Sequence, residues 1–175
     1  MKKNLCGIND LGDSDIELIL DNAGKNSFSP ERLKNKIIIN LFFENSTRTR
    51  TSFEIAALRL GARVINWDTD TSAIKKGESF ADTIETLGAM NPDCLIVRHS
   101  EYNAPHYVAQ RVKCSVINAG DSWREHPSQA LLDAFTIRQA KGKVDGLTIA
   151  ICGDVAHSRV ANSNMILLSR LGAKI

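Results

Sequence analysis

Three hydroxyl residues and two arginines fill five consecutive positions, Ser46-Thr47-Arg48-Thr49-Arg50, two residues after the apolar run Ile37 to Phe43. If a strand gives way to a helix here, the helix start adds unpaired backbone N–H groups and the positive end of its dipole. That combination attracts anions. The forked donors of arginine suit phosphate oxygens in particular. One serine or threonine capping the helix would use a single hydroxyl and leave the other four residues without a role. The Gly-x-x-x-x-Gly-Lys spacing of a P-loop is absent.

Four further clusters have the residue types of a binding site. Ser72 and the run Lys75-Lys76-Gly77-Glu78-Ser79 form a basic, Gly-containing loop, which reads equally as an anion site or a solvated surface. Arg98-His99 ends an apolar run, so its charge either meets a ligand or reaches water. His126-Pro127-Ser128-Gln129 follows Asn118-Ala119-Gly120-Asp121. There His126 offers a donor, an acceptor or a proton near neutral pH, and Gln129 offers an amide. Cys152-Gly153-Asp154-Val155-Ala156-His157-Ser158-Arg159 reads as a strand-to-helix turn. Its arginine either binds a carboxylate or is exposed. No H-E-x-x-H, C-x-x-C or G-x-S-x-G is present, so neither a metal nor a covalent intermediate is expected.

These clusters need elements to hold them. Buried strands are expected at Ile37–Phe43, Arg63–Trp67, Cys94–Val97, Ser115–Asn118 and Leu147–Cys152. Helical spacing appears in Phe53, Ala56, Ala57 and Leu60 before Gly61. It returns in Phe80, Ile84 and Leu87, in Leu131, Ala134 and Phe135 after Pro127, and in Ala161, Met165 and Leu168 before Gly172. A first helix runs from about Ser14 to Asn22, capped by Asp13 or Ser14. Alternating strands and helices imply an α/β fold, a parallel sheet flanked by helices on both faces. Ligands of such sheets bind beyond the carboxyl ends of the strands, where every cluster above falls.

The 175 residues are 43% hydrophobic and 24% charged, which suits one domain or slightly more. A net charge of +2 is too mild to imply nucleic acid as a partner. No long apolar stretch calls for a membrane, and the start lacks the apolar core of a secretory signal. Cys94 and Cys152 lie in apolar runs, where buried free thiols are expected, and a reducing cytoplasm fits them.

Together the motifs resemble one family, the carbamoyltransferases, and within it the aspartate branch. The resemblance rests on Ser46-Thr47-Arg48-Thr49-Arg50 with Phe53-Glu54, on Ser72 with Lys75-Lys76-Gly77-Glu78-Ser79, and on Arg98-His99. It continues in order through Asn118-Ala119-Gly120-Asp121, His126-Pro127-Ser128-Gln129 and Leu131-Leu132-Asp133. The second lysine, Lys76, distinguishes the aspartate from the ornithine branch. Two departures stand out: Ser122-Trp123-Arg124 replaces a frequent Gly-x-x, and Ser128 a commoner threonine.

The resemblance implies a carbamoyl-phosphate-binding domain over 1–141, including a linking helix, and the beginning of an aspartate-binding domain over 142–175. It implies that Ser46, Thr47, Arg48 and Thr49 hold the phosphate. Thr49, Arg98 and His126 would contact the carbonyl oxygen, with Arg98 also reaching phosphate, and Gln129 would read the carbamoyl amino group. Arg48, Thr49, Arg98 and His126 are thus the implied catalytic set. Ser72 and Lys76 would enter a neighbouring subunit's site in a homotrimer, and Lys76 and Arg159 would bind aspartate. The implied reaction carbamoylates L-aspartate, an early step of pyrimidine synthesis, with no cofactor or metal. Regulatory chains are a possible partner. The family's later aspartate loops are not among these residues, so carbamoyl-phosphate binding is expected of them rather than full turnover. An ornithine-type transferase and a non-catalytic phosphate-binding module are the alternatives.

Overall fold

The computed structural model of the protein describes residues 4–25, 29–67 and 79–175. Four strands, β1 (Ile37–Phe42), β2 (Arg63–Trp67), β3 (Cys94–His99) and β4 (Ser115–Asp121), form one sheet. Every pairing is parallel and the order is β2-β1-β3-β4. The helices are α1 (Asp13–Gly24), α2 (Thr47–Arg59), α3 (Phe80–Ala89), α4 (Ala104–Arg111), α5 (Pro127–Lys141) and α6 (Arg159–Arg170), preceded by a single 3-10 turn at Ile8–Asp10.

Strand β1 shows why the sheet is covered on both faces. Its side chains alternate: Ile39 and Leu41 join Ile84, Leu87, Val108 and Val112 of α3, α4 and the turn after α4. Ile38 and Phe42 point the other way, toward Ala57 of α2 and Ala62. Each fully buried Ile or Leu contributes roughly 1.5–3 kcal/mol relative to an exposed one. A third core gathers Ile16 and Leu20 of α1, Leu131 and Ala134 of α5, and Leu167 and Leu168 of α6. At the end of α2, Gly61 has a φ of +88°, and a Cβ there would stand 1.8 Å from the Pro30 carbonyl oxygen. Only glycine both reverses the chain here and lets that carbonyl in.

The strand order sets the position of the site. From β1 the chain crosses to β2 on one side, then returns past β1 to β3 on the other. The carboxyl ends of β1 and β3 therefore diverge into helices leaving in opposite directions. This switch point leaves a crevice between them.

Several sequence expectations need correction. Leu147–Cys152 is not a strand: only Thr148 bridges, to Lys174. Helix α1 begins one residue earlier than expected and its cap is Gly12, whose carbonyl accepts from Ile16 N and whose N–H donates to the Asp15 carboxylate. Helix α4 had no counterpart in the sequence reading, because only Ala104, Pro105 and Val108 of its eight residues are buried and no long apolar stripe marks it. Strands β3 and β4 run on to His99 and Asp121, past the apolar runs, because the parallel ladder continues through polar residues. Cys94 is half-buried and Cys152 exposed, and no disulfide joins any two of the four cysteines. The exposed turn around Cys152 follows from the missing strand.

Candidate functional site

A pocket of about 620 Å³ opens at the switch point. From the end of β1 and the start of α2 come Ser46, Arg48 and Thr49, from β3 Arg98, from the start of α5 His126 and Gln129, and from the start of α6 Arg159. Seven of the residues singled out in the sequence thus meet around one cavity. Thr47 begins α2 but does not line the pocket. Ser72 and Lys76 lie outside the described residues.

Ser46 occupies the N-cap of α2, yet its hydroxyl makes no cap hydrogen bond. The first N–H groups of α2 therefore have no partner from Ser46, and the hydroxyl is not spent on its own helix. Helix α5 starts the same way: His126 is its N-cap without a side-chain cap bond, and Pro127, lacking an N–H, follows. The His126 backbone N–H donates to Ser163 Oγ at 2.8 Å, which ties the start of α5 to α6.

Glu44, which the sequence reading passed over, stands between two arginines. Its Oε2 accepts from Arg98 Nε at 3.1 Å and from Arg159 Nη2 at 3.0 Å. One carboxylate thereby gathers two guanidiniums from positions far apart in the chain. Its signal was its place, two residues before Ser46, but its partners were not inferable from spacing. Arg98 Nη1 also donates to the Ala119 carbonyl at 3.2 Å. Arg159 Nη1 is buried with no hydrogen-bond partner among the described residues, an outlay of several kcal/mol of desolvation that a bound oxyanion would offset.

Gly120 makes this crowding possible. Its φ is +119°, and a Cβ would lie 3.1 Å from the Nη1 atoms of both Arg98 and Arg159. The adjoining residues fix the turn that leads to His126. Asn118 Nδ2 donates to the carbonyls of Cys6 and Glu125, and Asp121 Oδ1 accepts from Glu125 N. In the departure Ser122-Trp123-Arg124, Trp123 is exposed, while Arg124 turns inward to Asp121 and Glu125 at 3.6 Å each. Behind the β1 and β3 ends, Phe43, Phe80 and His99 stack with centroids 4.7–5.1 Å apart. His99 is thus part of the packing beneath Arg98, and is not among the pocket-lining residues.

Electrostatics revises the role open to His126. Burial, then the charges of Arg98 and Arg159, push its pKa down to about 4. It does not exchange a proton near neutral pH. It is a neutral imidazole with one N–H to give, and Ser128 Oγ lies 3.3 Å from its Nδ1. Arg98 is itself lowered, first by burial and then by Arg159, the signature of crowded like charges. Three guanidiniums, Arg48, Arg98 and Arg159, line the pocket, and Glu44 ion-pairs with two of them, Arg98 and Arg159.

Away from the pocket, Cys6, Asp10 and His106 bring a thiol, a carboxylate and an imidazole within 4.8 Å of one another. Their atoms are engaged locally: Asp10 Oδ2 accepts from the N–H of Cys6 and of Gly7, and Arg124 Nη1 stands 3.4 Å from His106 Nδ1. No described helix is long and apolar enough to cross a membrane.

Comparison with known proteins agrees with the geometry. Residues 3–139 match the family model for the aspartate/ornithine carbamoyltransferase, carbamoyl-P binding domain. The chain is 55% identical to the aspartate carbamoyltransferase catalytic subunit of Rhodospirillum centenum, over 99% of this chain and 57% of that protein. It is 54% identical to the corresponding subunit of Agrobacterium fabrum, over 99% of this chain and 58% of that one. The chain therefore spans a little over half the length of these relatives. Among solved structures it matches aspartate transcarbamoylase from Trypanosoma cruzi in complex with carbamoyl phosphate, with a TM-score of 0.88 and 36% identity over 97% of this chain and 54% of that one. The catalytic subunit of M. jannaschii aspartate transcarbamoylase matches with a TM-score of 0.84 and 36% identity over 98% and 58%.

Proposed function

The chain belongs to the aspartate/ornithine carbamoyltransferase family through its carbamoyl-P binding domain, and from that premise we propose that it serves aspartate carbamoylation. In this reading it binds carbamoyl phosphate, and the amine of L-aspartate attacks the carbamoyl carbon. The C–N bond forms as the carbonyl becomes a tetrahedral oxyanion. The C–O bond to phosphate then breaks, giving N-carbamoyl-L-aspartate and phosphate.

One observation carries the proposal: an unspent helix start and three guanidiniums, two of them held by Glu44, converge on one pocket. This cluster of guanidiniums suits a phosphate dianion. Ser46, Thr47, Arg48 and Thr49 hold that phosphate, with Thr47 contributing through its place at the first turn of α2. Arg98, Thr49 and neutral His126 donate to the carbonyl oxygen, where negative charge grows as the amine attacks. Preorganised donors at such a point are worth about 3 kcal/mol each in the barrier. A neutral His126 can donate there without acting as an acid. The proton lost by the attacking amine passes to the departing phosphate, so no protein nucleophile is required and catalysis is chiefly positioning.

Arg159, joined to Arg98 through Glu44, receives a carboxylate of aspartate. Lys76 and Ser72 complete the site from a neighbouring subunit of a homotrimer. Exposed Ile55 and Leu58 on α2 and exposed Ile65 on the edge strand β2, just ahead of that segment in sequence, supply apolar surface for such an assembly. Residues 142–175 begin the aspartate-binding domain, regulatory chains are further partners, and the cytoplasm is the place of action.

Calorimetry of this chain with carbamoyl phosphate and with inorganic phosphate tests the reading. Carbamoyl phosphate should bind at least about tenfold more tightly, the worth of one or two added hydrogen bonds. Equal affinities would reduce the protein to a phosphate-binding module. In a chain of full family length, formation of citrulline instead of carbamoyl-aspartate would reassign the acceptor to ornithine.

A further inference from the structure

Asp133 lies one helical turn beyond Gln129 on α5, and both of its carboxylate oxygens are engaged. Oδ1 accepts from Gln129 Nε2 at 2.9 Å. Oδ2 accepts from Asn164 Nδ2 of α6 at 2.7 Å. A carboxylate only accepts hydrogen bonds. The half of the Gln129 amide turned toward it must therefore be the NH₂ group. The amide oxygen is left for the pocket that Gln129 lines. An unrestrained glutamine presents either end, so by itself it would welcome a donor or an acceptor.

We propose that Asp133 is a positioning residue that sets the hydrogen-bond polarity of the pocket, holding the Gln129 oxygen toward the ligand so that the site selects a carbamoyl over an acetyl group. This rests on the carbamoyl-phosphate reading above. A carbamoyl NH₂ offers N–H donors to that oxygen, and an acetyl methyl of nearly the same size offers none. A site built to accept a hydrogen bond rejects the analogue lacking it, because its own polar group is left unpaired. Asn164 holds the far side of Asp133, so the carboxylate cannot swing after a displaced Gln129. The contact also makes the orientation depend on α6, the same helix whose first residue, Arg159, enters the pocket.

The test measures dissociation constants of carbamoyl phosphate, acetyl phosphate and inorganic phosphate for the wild-type chain, Asp133→Ala and Asp133→Asn. Wild type should prefer carbamoyl over acetyl phosphate by about tenfold or more, one hydrogen bond's worth. Asp133→Ala frees Gln129, and the preference should fall to within a few-fold of unity while inorganic phosphate binds as before. Asp133→Asn keeps the shape and the fold. It has one oxygen for two donors, so it should lose part of the preference. Variants that keep the wild-type preference overturn the role of Asp133. A parallel loss of inorganic phosphate binding also overturns it, since that marks general packing. A wild-type chain without the preference removes the carbamoyl-phosphate reading itself, and the inference with it.

Discussion

Helices α2 and α3 each begin at a serine, and the two serines do opposite things. Ser79 Oγ accepts from Asp82 N at 3.1 Å and donates to the Asp82 carboxylate at 2.6 Å, and that carboxylate also takes the Ser79 N–H. The start of α3 is closed by its own side chains. Ser158 closes α6 likewise, accepting from Ala161 N at 3.1 Å. Ser46 makes no such bond, and α2 opens onto the pocket beside Arg98 and Arg159. A serine before a helix is thus no sign of a ligand. What matters is whether its hydroxyl is already used, and in α2 the residue three places into the helix is Thr49 rather than an acid that would compete for the N–H groups.

The sharpest attack on the open-start picture runs through His126, the uncapped start of α5. Its pKa is depressed from 6.5 to about 4, so between these values the unfolded chain binds the extra proton and the folded chain does not. Its neutral burial costs nothing above pH 6.5, and stability on the order of 3 kcal/mol is lost as the pH falls through 4. Asp121 and Glu125, both raised by burial, act oppositely in the acid range. Denaturant melts of wild type and His126→Gln isolate the histidine, since the two carboxylates are common to both. The variant should lose less stability than wild type between pH 6.5 and 4. Parallel profiles would mean that His126 is not held neutral by burial and the charges of Arg98 and Arg159.

A smaller effect separates charge from fold. Arg48 is exposed and lines the pocket, so Arg48→Ala should weaken inorganic phosphate binding by about 2 kcal/mol, roughly thirtyfold, with the melting temperature unchanged. Undiminished binding in calorimetry would remove Arg48 from the anion site. Smallest, and closest to the comparison itself, is the serine pair. Ser79→Ala should cost about 1 kcal/mol of stability and leave phosphate binding alone. Ser46→Ala should do the reverse, weakening phosphate by about 1 kcal/mol at constant stability. If both variants shift the same quantity, the two helix starts do not differ in kind.

The parallel sheet was legible because strands read as largely apolar runs, and β1, β2, β3 and β4 begin where those runs begin, although β2, at the sheet edge, has no buried residue and is not the buried strand expected. The site was legible because its residues cluster at strand ends. Helix α4 was not, since its short buried face carries no repeat, and Leu147–Cys152 misled because an apolar run guarantees neither burial nor a ladder: none of its residues is buried and Thr148 makes an isolated bridge.

The sequence alone determined that hydroxyls, arginines, His126 and Gln129 stand at strand-to-helix junctions, since periodicity and breakers are local properties of the chain. Only the tertiary structure decided their state. Glu44 bridges Arg98 and Arg159, residues 54 and 115 positions away. The same convergence leaves Arg159 Nη1 without a partner among the described residues and, by burial and then by the charges of Arg98 and Arg159, keeps His126 neutral. Hydrogen-bond satisfaction and desolvation depend on what surrounds a group in space, and the neighbours that impose them here come from four separate strand and helix ends.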